Sequence, residues 1–518
     1  MINRKITYIE KSKMEKDYSK IYDVHKYWSR KPWHPISNCI MKYSNEGDTV
    51  VDLFLGSGVT ALESILLNRD FNGYDLNPIS IFISKNTLTY NLKKDEYLNE
   101  LKILENNLSD ITKELYISNE LCDICGNNLI LNHAIIGPKY MNKELGVFFC
   151  EKCGKRKSKK VRLLKNNEKS KNYYPISKWT PDVQFPKKFY KDRFSYKGIK
   201  KVNDMFTSRN LYFMSELYYI INNSDFKYKD LFLLAFSNTL LHVSKLKSEN
   251  VRPLSVNNYW VPDDYIEENP LLRFKERANR ILKAKETLKK RIIYEKNIGR
   301  AILKKQSSLK TGLQDESIDY IITDPPYGDA IQYSELSYIW NAWMKDKYDI
   351  EEELIINPVQ NKNINDFLYF FDKSVNEANR ILKHDKYYTL CFHNKDFIIW
   401  EGVLNIFKKY NFTLENIDIV NLKGNSYNTN WSKFNPKTDL YLTFRKSVYK
   451  PTHKKKYSIR DILFDINKEN KVEPISKLYD LLCIKLIYEL YYNEYKISIN
   501  DLSIKKLAKL LGEINNAN

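Results

Sequence analysis

The apolar and polar positions of this 518-residue chain fall into stretches of different character. From about residue 47 to 90, a β-branched run (Thr49-Val50-Val51) leads through a glycine turn into an apolar helix-like stretch, Thr60 to Leu67, and then a short strand, Phe71 to Tyr74. Strand, loop, helix and strand in that order predict a parallel β-α-β unit, because parallel neighbours need a crossover. Between about 95 and 310 this alternation gives way to a cysteine-containing module, a basic stretch and long helical segments at Asn210 to Asn222 and Leu271 to Lys290. It resumes with a strand at Ile318 to Thr323, helices through Ser334 to Trp343 and Phe367 to Leu382, and strands near Tyr387 to Phe392, Ile417 to Val420 and Leu440 to Phe444. The pattern predicts one α/β domain made of residues 1–95 and 311–449, opened by an insertion over 96–310. A basic linker, Lys450 to Lys456, opens residues 450–518, where apolar spacing at Leu478, Leu481, Leu482, Leu486 and Leu490 predicts a C-terminal helical accessory module.

Composition narrows the classes. No apolar run is long enough to span a bilayer; the best, Leu231 to Leu241, is interrupted by Ser237, Asn238 and Thr239. Met1-Ile2-Asn3-Arg4-Lys5 does not open a secretory signal, and seven cysteines do not make a disulfide scaffold, so a reduced, cytoplasmic protein without a membrane partner is expected. Lys plus Arg number 84 against 64 for Asp plus Glu, a formal charge of +20 that favours a polyanionic partner. Codon bias alone would spread that excess evenly. Instead residues 151–203 hold 18 Lys or Arg against four acids, interleaved with Tyr173, Tyr174, Trp179, Phe185, Phe189 and Tyr190, and this stretch is expected to contact nucleic acid.

Two loops carry the chemistry. Val50-Val51-Asp52-Leu53-Phe54-Leu55-Gly56-Ser57-Gly58-Val59-Thr60 is a strand entering a Gly-x-Gly turn and a helix, where absent Cβ atoms let the backbone approach a cofactor. Gly73-Tyr74-Asp75 ends the next strand in a carboxylate placed to accept from a ribose diol. The third glycine of the dinucleotide fingerprint is missing, since Val59-Thr60-Ala61 stands in its place, which disfavours a pyrophosphate cofactor.

The second loop is Ile318-Asp319-Tyr320-Ile321-Ile322-Thr323-Asp324-Pro325-Pro326-Tyr327-Gly328. A hydrophobic strand ends in an acid, and two prolines stop helix and sheet and stiffen the corner. Such a corner can hold the Asp324 carboxylate and the Pro325 carbonyl side by side, two acceptors for the two hydrogens of an amino group, while Tyr327 stacks on the ring that bears it.

These motifs, Phe54-Leu55-Gly56-Ser57-Gly58 and Asp324-Pro325-Pro326-Tyr327, resemble those of the S-adenosylmethionine-dependent adenine-specific DNA methyltransferases that carry an embedded zinc ribbon. The resemblance extends to His25-Lys26-Tyr27-Trp28-Ser29-Arg30-Lys31-Pro32, similar to the segment that closes over the methionine end of the cofactor, to Ala330 through Ser337, and to Asn379-Arg380-Ile381-Leu382-Lys383. It covers residues 20–90 and 315–445 and departs from the family at Leu53 and Val59.

The resemblance implies a Rossmann-like class I methyltransferase sheet, with S-adenosyl-L-methionine held by Lys31, Asp52, Phe54, Gly56, Ser57, Gly58 and Asp75. It also implies a catalytic corner of Asp324, Pro325, Pro326 and Tyr327 that receives an adenine flipped from double-stranded DNA, in a modification or defence system with a restriction or defence-system partner. Asp324 lies 266 positions after Gly58, a spacing that resembles the arrangement with target recognition between the two motifs. Other readings are a guanine-N2 RNA methyltransferase, which shares Asp-Pro-Pro-Tyr-Gly, a cytosine-N4 DNA methyltransferase and a catalytically silent DNA-binding subunit.

Inside the insertion, Cys122-Asp123-Ile124-Cys125-Gly126 and Cys150-Glu151-Lys152-Cys153-Gly154 form two knuckles separated by 24 residues. Two thiolates on each tight turn complete a tetrahedral site for structural Zn²⁺, within a ribbon over about residues 118–160. Cys39, Cys391 and Cys483 read as core residues, and His25, His34 and His393 as packed side chains or site neighbours.

Overall fold

A computed structural model describes residues 7–9, 15–141, 143–170, 174–186, 189–191, 194, 197–254, 259–294, 297–394, 396–421, 438–447 and 475–492. The basic linker at 450–456 and Tyr173 lie outside the described residues.

The first third of the chain runs through β1 (Thr7–Ile9), α1 (Glu15–Tyr22), α2 (Trp33–Tyr43), β2 (Thr49–Asp52), α3 (Val59–Leu66), β3 (Asp70–Asp75) and α4 (Pro78–Leu88). The insertion then contributes α5 (Lys94–Asn107), α6 (Ser109–Tyr116), β4 (Ile117–Leu121), β5 (Asn128–Ile136), β6 (Leu145–Phe149) and β7 (Lys160–Leu163), followed by α7 (Ser208–Asn223), α8 (Lys229–Leu240), β8 (Tyr265–Glu268) and α9 (Pro270–Tyr294). The chain returns through β9 (Ala301–Lys305), β10 (Ile318–Thr323), α10 (Tyr333–Leu336), α11 (Tyr338–Trp343), α12 (Ile364–Ile381), β11 (Leu382–Phe392), α13 (Phe397–Lys409), β12 (Phe412–Asn421) and β13 (Thr438–Lys446), with a last helix at Ile475–Tyr492.

Among the described residues the large sheet has eight strands in the order β1-β12-β13-β11-β10-β2-β3-β9. All neighbours are parallel except β13, which runs antiparallel to both β11 and β12. This is the α/β architecture expected from the sequence. The period of two along a strand decides its layers: Tyr320 and Ile322 of β10 face a core built with α2 and α3, whereas Ile321 faces a core built with α12 and α13. The last helix joins that second core through Ile484, Leu486, Ile487, Leu490 and Tyr491, and the Tyr491 and Tyr492 hydroxyls donate to the Phe412 and Leu414 carbonyls. The helical accessory module is therefore described at this one helix, docked on α13 and β12.

The insertion leaves the sheet after α4 and rejoins it at the edge strand β9, beside β3. Rejoining occurs at residue 301, not at 311 as the strand pattern predicts. The reason is that β9 is an edge strand: Ile302 is 55% exposed and Lys304 and Lys305 follow it, so the segment lacks the buried signature of its neighbours. The return is fixed by α9, whose Arg291 forks onto both Glu63 oxygens of α3 at 2.7 and 2.5 Å, with Tyr22 donating to the same carboxylate. Glu63 is fully buried, so removing either partner would strand a charge in the core. One expected helix is broken: Ser337 separates α10 from α11 because its hydroxyl turns back onto the Tyr333 carbonyl (2.7 Å) while Asn341 bonds Asn77 (3.1 Å).

The second sheet is antiparallel, β4-β5-β6-β7, with β8 added to β5. Its register with β8 spans His133 to Ile136 against Glu268 to Tyr265, which ties the ribbon to the helical part of the insertion. No described helix is long and apolar enough to cross a membrane.

Candidate cofactor cleft, acidic corner and thiol cluster

The Gly-x-Gly turn, the Asp75 strand end and the Asp-Pro-Pro-Tyr corner follow β2, β3 and β10, which are adjacent and parallel, so all three open at the same edge of the sheet. There they border an open cleft of about 880 Å³, lined by Lys31, Asp52, Phe54, Gly56, Ser57, Asp75, Asp324 and Pro326 among others.

Gly56 and Gly58 both take positive φ, 55° and 78°, conformations that side-chain-bearing residues rarely adopt. A Cβ on Gly58 would stand 2.7 Å from Ser84 Oγ and 3.1 Å from the Ser84 Cα, and one on Gly56 would press on the Tyr27 ring at 3.3 Å. The turn is thus as close to its neighbours as backbone allows. Asp75 Oδ2 accepts from the Gly56 N–H (2.8 Å) and the Ser80 hydroxyl (2.7 Å), and its Oδ1 accepts from the Asn77 N–H (2.8 Å). Burial raises its pKa above the usual carboxylate range. Asp52, 2% exposed, accepts from the Thr323 hydroxyl (2.6 Å) and the Phe54 N–H (3.0 Å); burial pushes its pKa up to about 6 against the opposing pull of those bonds. The Asp52–Thr323 bond links the glycine turn to the strand that ends in Asp324.

Residues 27–31 form the opposite wall. Tyr27 stacks on Tyr333 at 5.7 Å, and Lys31 reaches across to the acidic corner. The Lys31 ammonium lies 2.6 Å from Asp439 Oδ2 and 3.5 Å from Asp324 Oδ1, and donates to the Tyr327 hydroxyl, which in turn donates to Asp324. Burial disfavours the charge on Lys31, but Asp324 and Asp439 outweigh it and raise the pKa. Burial pushes Asp324 up to about 7, opposed by Lys31 and the Tyr327 hydrogen bond and aided by Asp439 and Asp52. Tyr327 does not line the cleft as Asp324 and Pro326 do; its ring meets Phe392 edge-on at 5.3 Å and holds Lys31 at 4.9 Å from its centre.

Reasoning from the sequence places Lys31 beside the cofactor but misses the residue it pairs with. Asp439 is 4% exposed near the start of β13, and an acid opening the apolar run Leu440 to Phe444 is the signal that could have found it. Tyr333, inside the Ala330–Ser337 segment of the resemblance, lines the cleft, as do Tyr348 and Glu353, which no motif announces. His25 is a packed residue: Nε2 meets the Ser237 hydroxyl at 3.1 Å, the ring abuts Trp340, and burial lowers its pKa to about 4.

In the insertion, the sulfurs of Cys122, Cys125, Cys150 and Cys153 all lie within 4.8 Å of one another. The pairs Cys122–Cys153 and Cys125–Cys150 are 3.9 and 3.5 Å apart, close to the edge of about 3.8 Å of a tetrahedron with metal–sulfur bonds of roughly 2.3 Å. Gly126 and Gly154, at φ 73° and 80°, close each knuckle by donating to the Cys122 and Cys150 carbonyls at 2.9 Å. The donor set fits zinc and leaves no ligand position open.

Of the basic stretch, Lys152, Lys155, Arg156, Lys157 and Lys159 are exposed, but the interleaved aromatics are less so than their spacing suggests. Phe185 and Phe189 are buried against Phe194, Tyr259 and Tyr338, and Arg162 is paired with Glu120 and Glu168. Trp179, 39% exposed, is flanked by Lys345 at 4.3 Å.

Residues 4–86 match the family described as DNA methylase, which groups the N6 and N4 amino-methylating enzymes. A ribosomal protein L11 methyltransferase of Bacillus licheniformis is 30% identical over 87 residues, 16% of this chain and 27% of that protein, so the chain spans about a quarter of that relative's length. Both similarities are to methyltransferases. The resemblance to DNA methylases read from the motifs is borne out at that level, and it implies S-adenosylmethionine as cofactor.

Proposed function

We propose that this chain, a methyltransferase whose residues 4–86 match the DNA methylases, transfers a methyl group to the exocyclic N6 amine of adenine in double-stranded DNA. The observation that carries the reading is the Asp324 corner, which opens into the same cleft as the glycine turn and Asp75. S-adenosylmethionine, held at Gly56, Ser57, Gly58 and Asp75 with Lys31, Asp52 and Phe54 nearby, supplies an electrophilic methyl group. Asp75 is an acceptor already oriented by the Gly56 N–H, suited to a ribose hydroxyl.

An exocyclic amine is a weak nucleophile because its lone pair is delocalised into the ring. Asp324 and the Pro325 carbonyl accept its two hydrogens and favour the pyramidal form, and Pro326 keeps the two acceptors fixed. Tyr327, whose ring is turned to Phe392 and Lys31 and does not line the cleft, keeps Asp324 oriented through its hydroxyl. The ionised Asp324 is the stronger acceptor, and Lys31 favours that form against the opposing effect of burial. The amine proton leaves after methyl transfer, so no further base is required at a fixed position. The four-cysteine ribbon holds structural zinc, and the insertion at 96–310 contributes DNA contacts and target recognition. An adenine methylase of this kind fits a modification or defence system, with a restriction or defence-system protein as its partner.

The test supplies methyl-labelled S-adenosylmethionine with duplex DNA or with tRNA. Wild type is expected to label duplex DNA as N6-methyladenine on nucleoside analysis, and Asp324→Ala to label nothing. Label only in RNA, or as N4-methylcytosine, would overturn the assignment.

A further inference from the structure

The segment that walls the cofactor cleft has a second face. Behind it lies a larger open cleft of about 1660 Å³ that shares Tyr27 and Arg30 with the first. One side is a face of α9, where Arg273, Arg277 and Arg280 recur at helical spacing; Lys247 and Arg252 enter from the segment after α8, and Lys26 from the N-terminal side.

Its acids do not balance these cations. Glu276 is shared by the three guanidiniums, at 2.7 Å from Arg273, 3.3 Å from Arg277 and 3.3 Å from Arg280. Glu249 is paired outward with Lys139 at 2.8 Å, Asp23 is taken by Arg30 at 2.5 Å, and Glu268, behind the wall, already receives Lys247 and Arg273. The Arg277 side chain is 7% exposed and its Nε has no acceptor. The neighbouring groups register the field: burial, then Arg277, Lys247, Arg273 and Lys26, drive His242 down to about 2, and burial followed by Arg252 lowers Lys26 to about 8. Concentrating like charge in a concave, partly desolvated wall is unfavourable unless a polyanion completes it.

We propose that this second cleft is a phosphate site that receives the sugar-phosphate backbone of the substrate nucleic acid beside the flipped nucleotide. A multiply charged phosphate chain fits forked donors spaced along one helix face. The segment 25–31 would then lie between cofactor and backbone. Only the source of the phosphate rests on the DNA reading above; the phosphate chemistry rests on the cleft itself.

The test uses the full chain and Arg252→Gln/Arg280→Gln, both exposed positions (Arg280 is 46% exposed), so folding is not at stake. Duplex binding is titrated against KCl, S-adenosylmethionine binding is measured by calorimetry, and thermal stability is followed with inorganic tripolyphosphate. The expected result is a salt slope reduced by about 2, duplex binding weakened roughly tenfold, and unchanged cofactor binding. Tripolyphosphate is expected to stabilise wild type and not the variant. Equal salt slopes in the two proteins would overturn the backbone assignment; if tripolyphosphate still discriminated them, the ligand would be a free polyphosphate or nucleotide. A wild type that binds no duplex would fail the DNA reading, and the cleft would then be upheld by tripolyphosphate stabilisation lost in the variant, or overturned by its absence.

Discussion

Lys31 offers the sharpest test of the corner's electrostatics. Asp324 is pushed up to about 7 and its ionised form is the stronger acceptor of an amine hydrogen, so activity should rise with pH through about 7. Lys31 lies 3.5 Å from the Asp324 carboxylate. At an effective dielectric of about 20 that separation gives roughly 5 kcal/mol, an upper bound of about 3.5 pK units; the Asp324 side chain is 23% exposed, and relaxation trims the effect to about 1 to 3 units. Lys31→Gln would also strand Asp439, so the comparison is Lys31→Gln/Asp439→Asn against Asp439→Asn. In the double variant Asp324 stays protonated to higher pH, and the acidic limb of kcat/KM moves up by about 1 to 3 units; a shift of about 2 units lowers activity near pH 7.5 by roughly 25-fold. Lys31→Arg, which keeps the charge, should hold the limb near its wild-type position. Methyl transfer from labelled cofactor to duplex DNA, followed from about pH 6 to 9.5, reads the profile. A limb unmoved or lowered in the double variant would refute the claim that Lys31 keeps Asp324 ionised.

Three further outcomes follow from the same geometry. Gly58→Ala puts a Cβ at φ +78° against the Ser84 backbone and should cost about 1 to 3 kcal/mol in a thermal or denaturant melt while weakening cofactor binding measured by calorimetry. Asp75→Ala takes the acceptor from the Gly56 and Asn77 N–H groups and the Ser80 hydroxyl and removes the proposed ribose acceptor, with cofactor affinity expected to fall about 10- to 100-fold and a melt to show a loss of about 1 to 3 kcal/mol. Cys150→Ser, at a fully buried thiol of the cluster, should reduce bound zinc from about one ion per chain on elemental analysis and lower the melting temperature; an unchanged metal content would refute the four-thiolate site.

What could be read in advance divides along physical lines. β10 announces itself because Tyr320, Ile321 and Ile322 are all fully buried between two helical layers, and a strand covered on both faces reads as a continuous apolar run. The glycine turn, the proline corner and the thiol knuckles were legible because each is local: the residues that make the geometry are adjacent in sequence. β9 was not, since an edge strand pairs on one side and leaves Ile302 outside. The interleaved aromatics at 185–190 read as a binding surface yet pack with Tyr259 and Tyr338, because aromatic spacing alone does not say which face is covered. The break at Ser337 depends on a partner, Asn77, that lies 260 residues away.

The reversed strand explains how the least legible residue reaches the site. In an all-parallel sheet every strand delivers its C-terminal end to the ligand edge, and acids found there lie in loops that follow strands. Because β13 is antiparallel, it delivers its beginning instead: Leu440 pairs with Phe392 at the end of β11, and Asp439 precedes it at the same edge. An acid before an apolar strand is ordinarily a solvated turn residue, but this one is buried and lies 2.6 Å from the Lys31 ammonium. Lys31 thus stands between two carboxylates, and they do not have equal claims. Asp439 is the nearer and more buried partner and fixes where the ammonium sits, whereas Asp324 is more distant and more open, free to exchange part of its hold on Lys31 and Tyr327 for an incoming amine. A corner that gripped its lysine as tightly as Asp439 does would have no acceptor to offer.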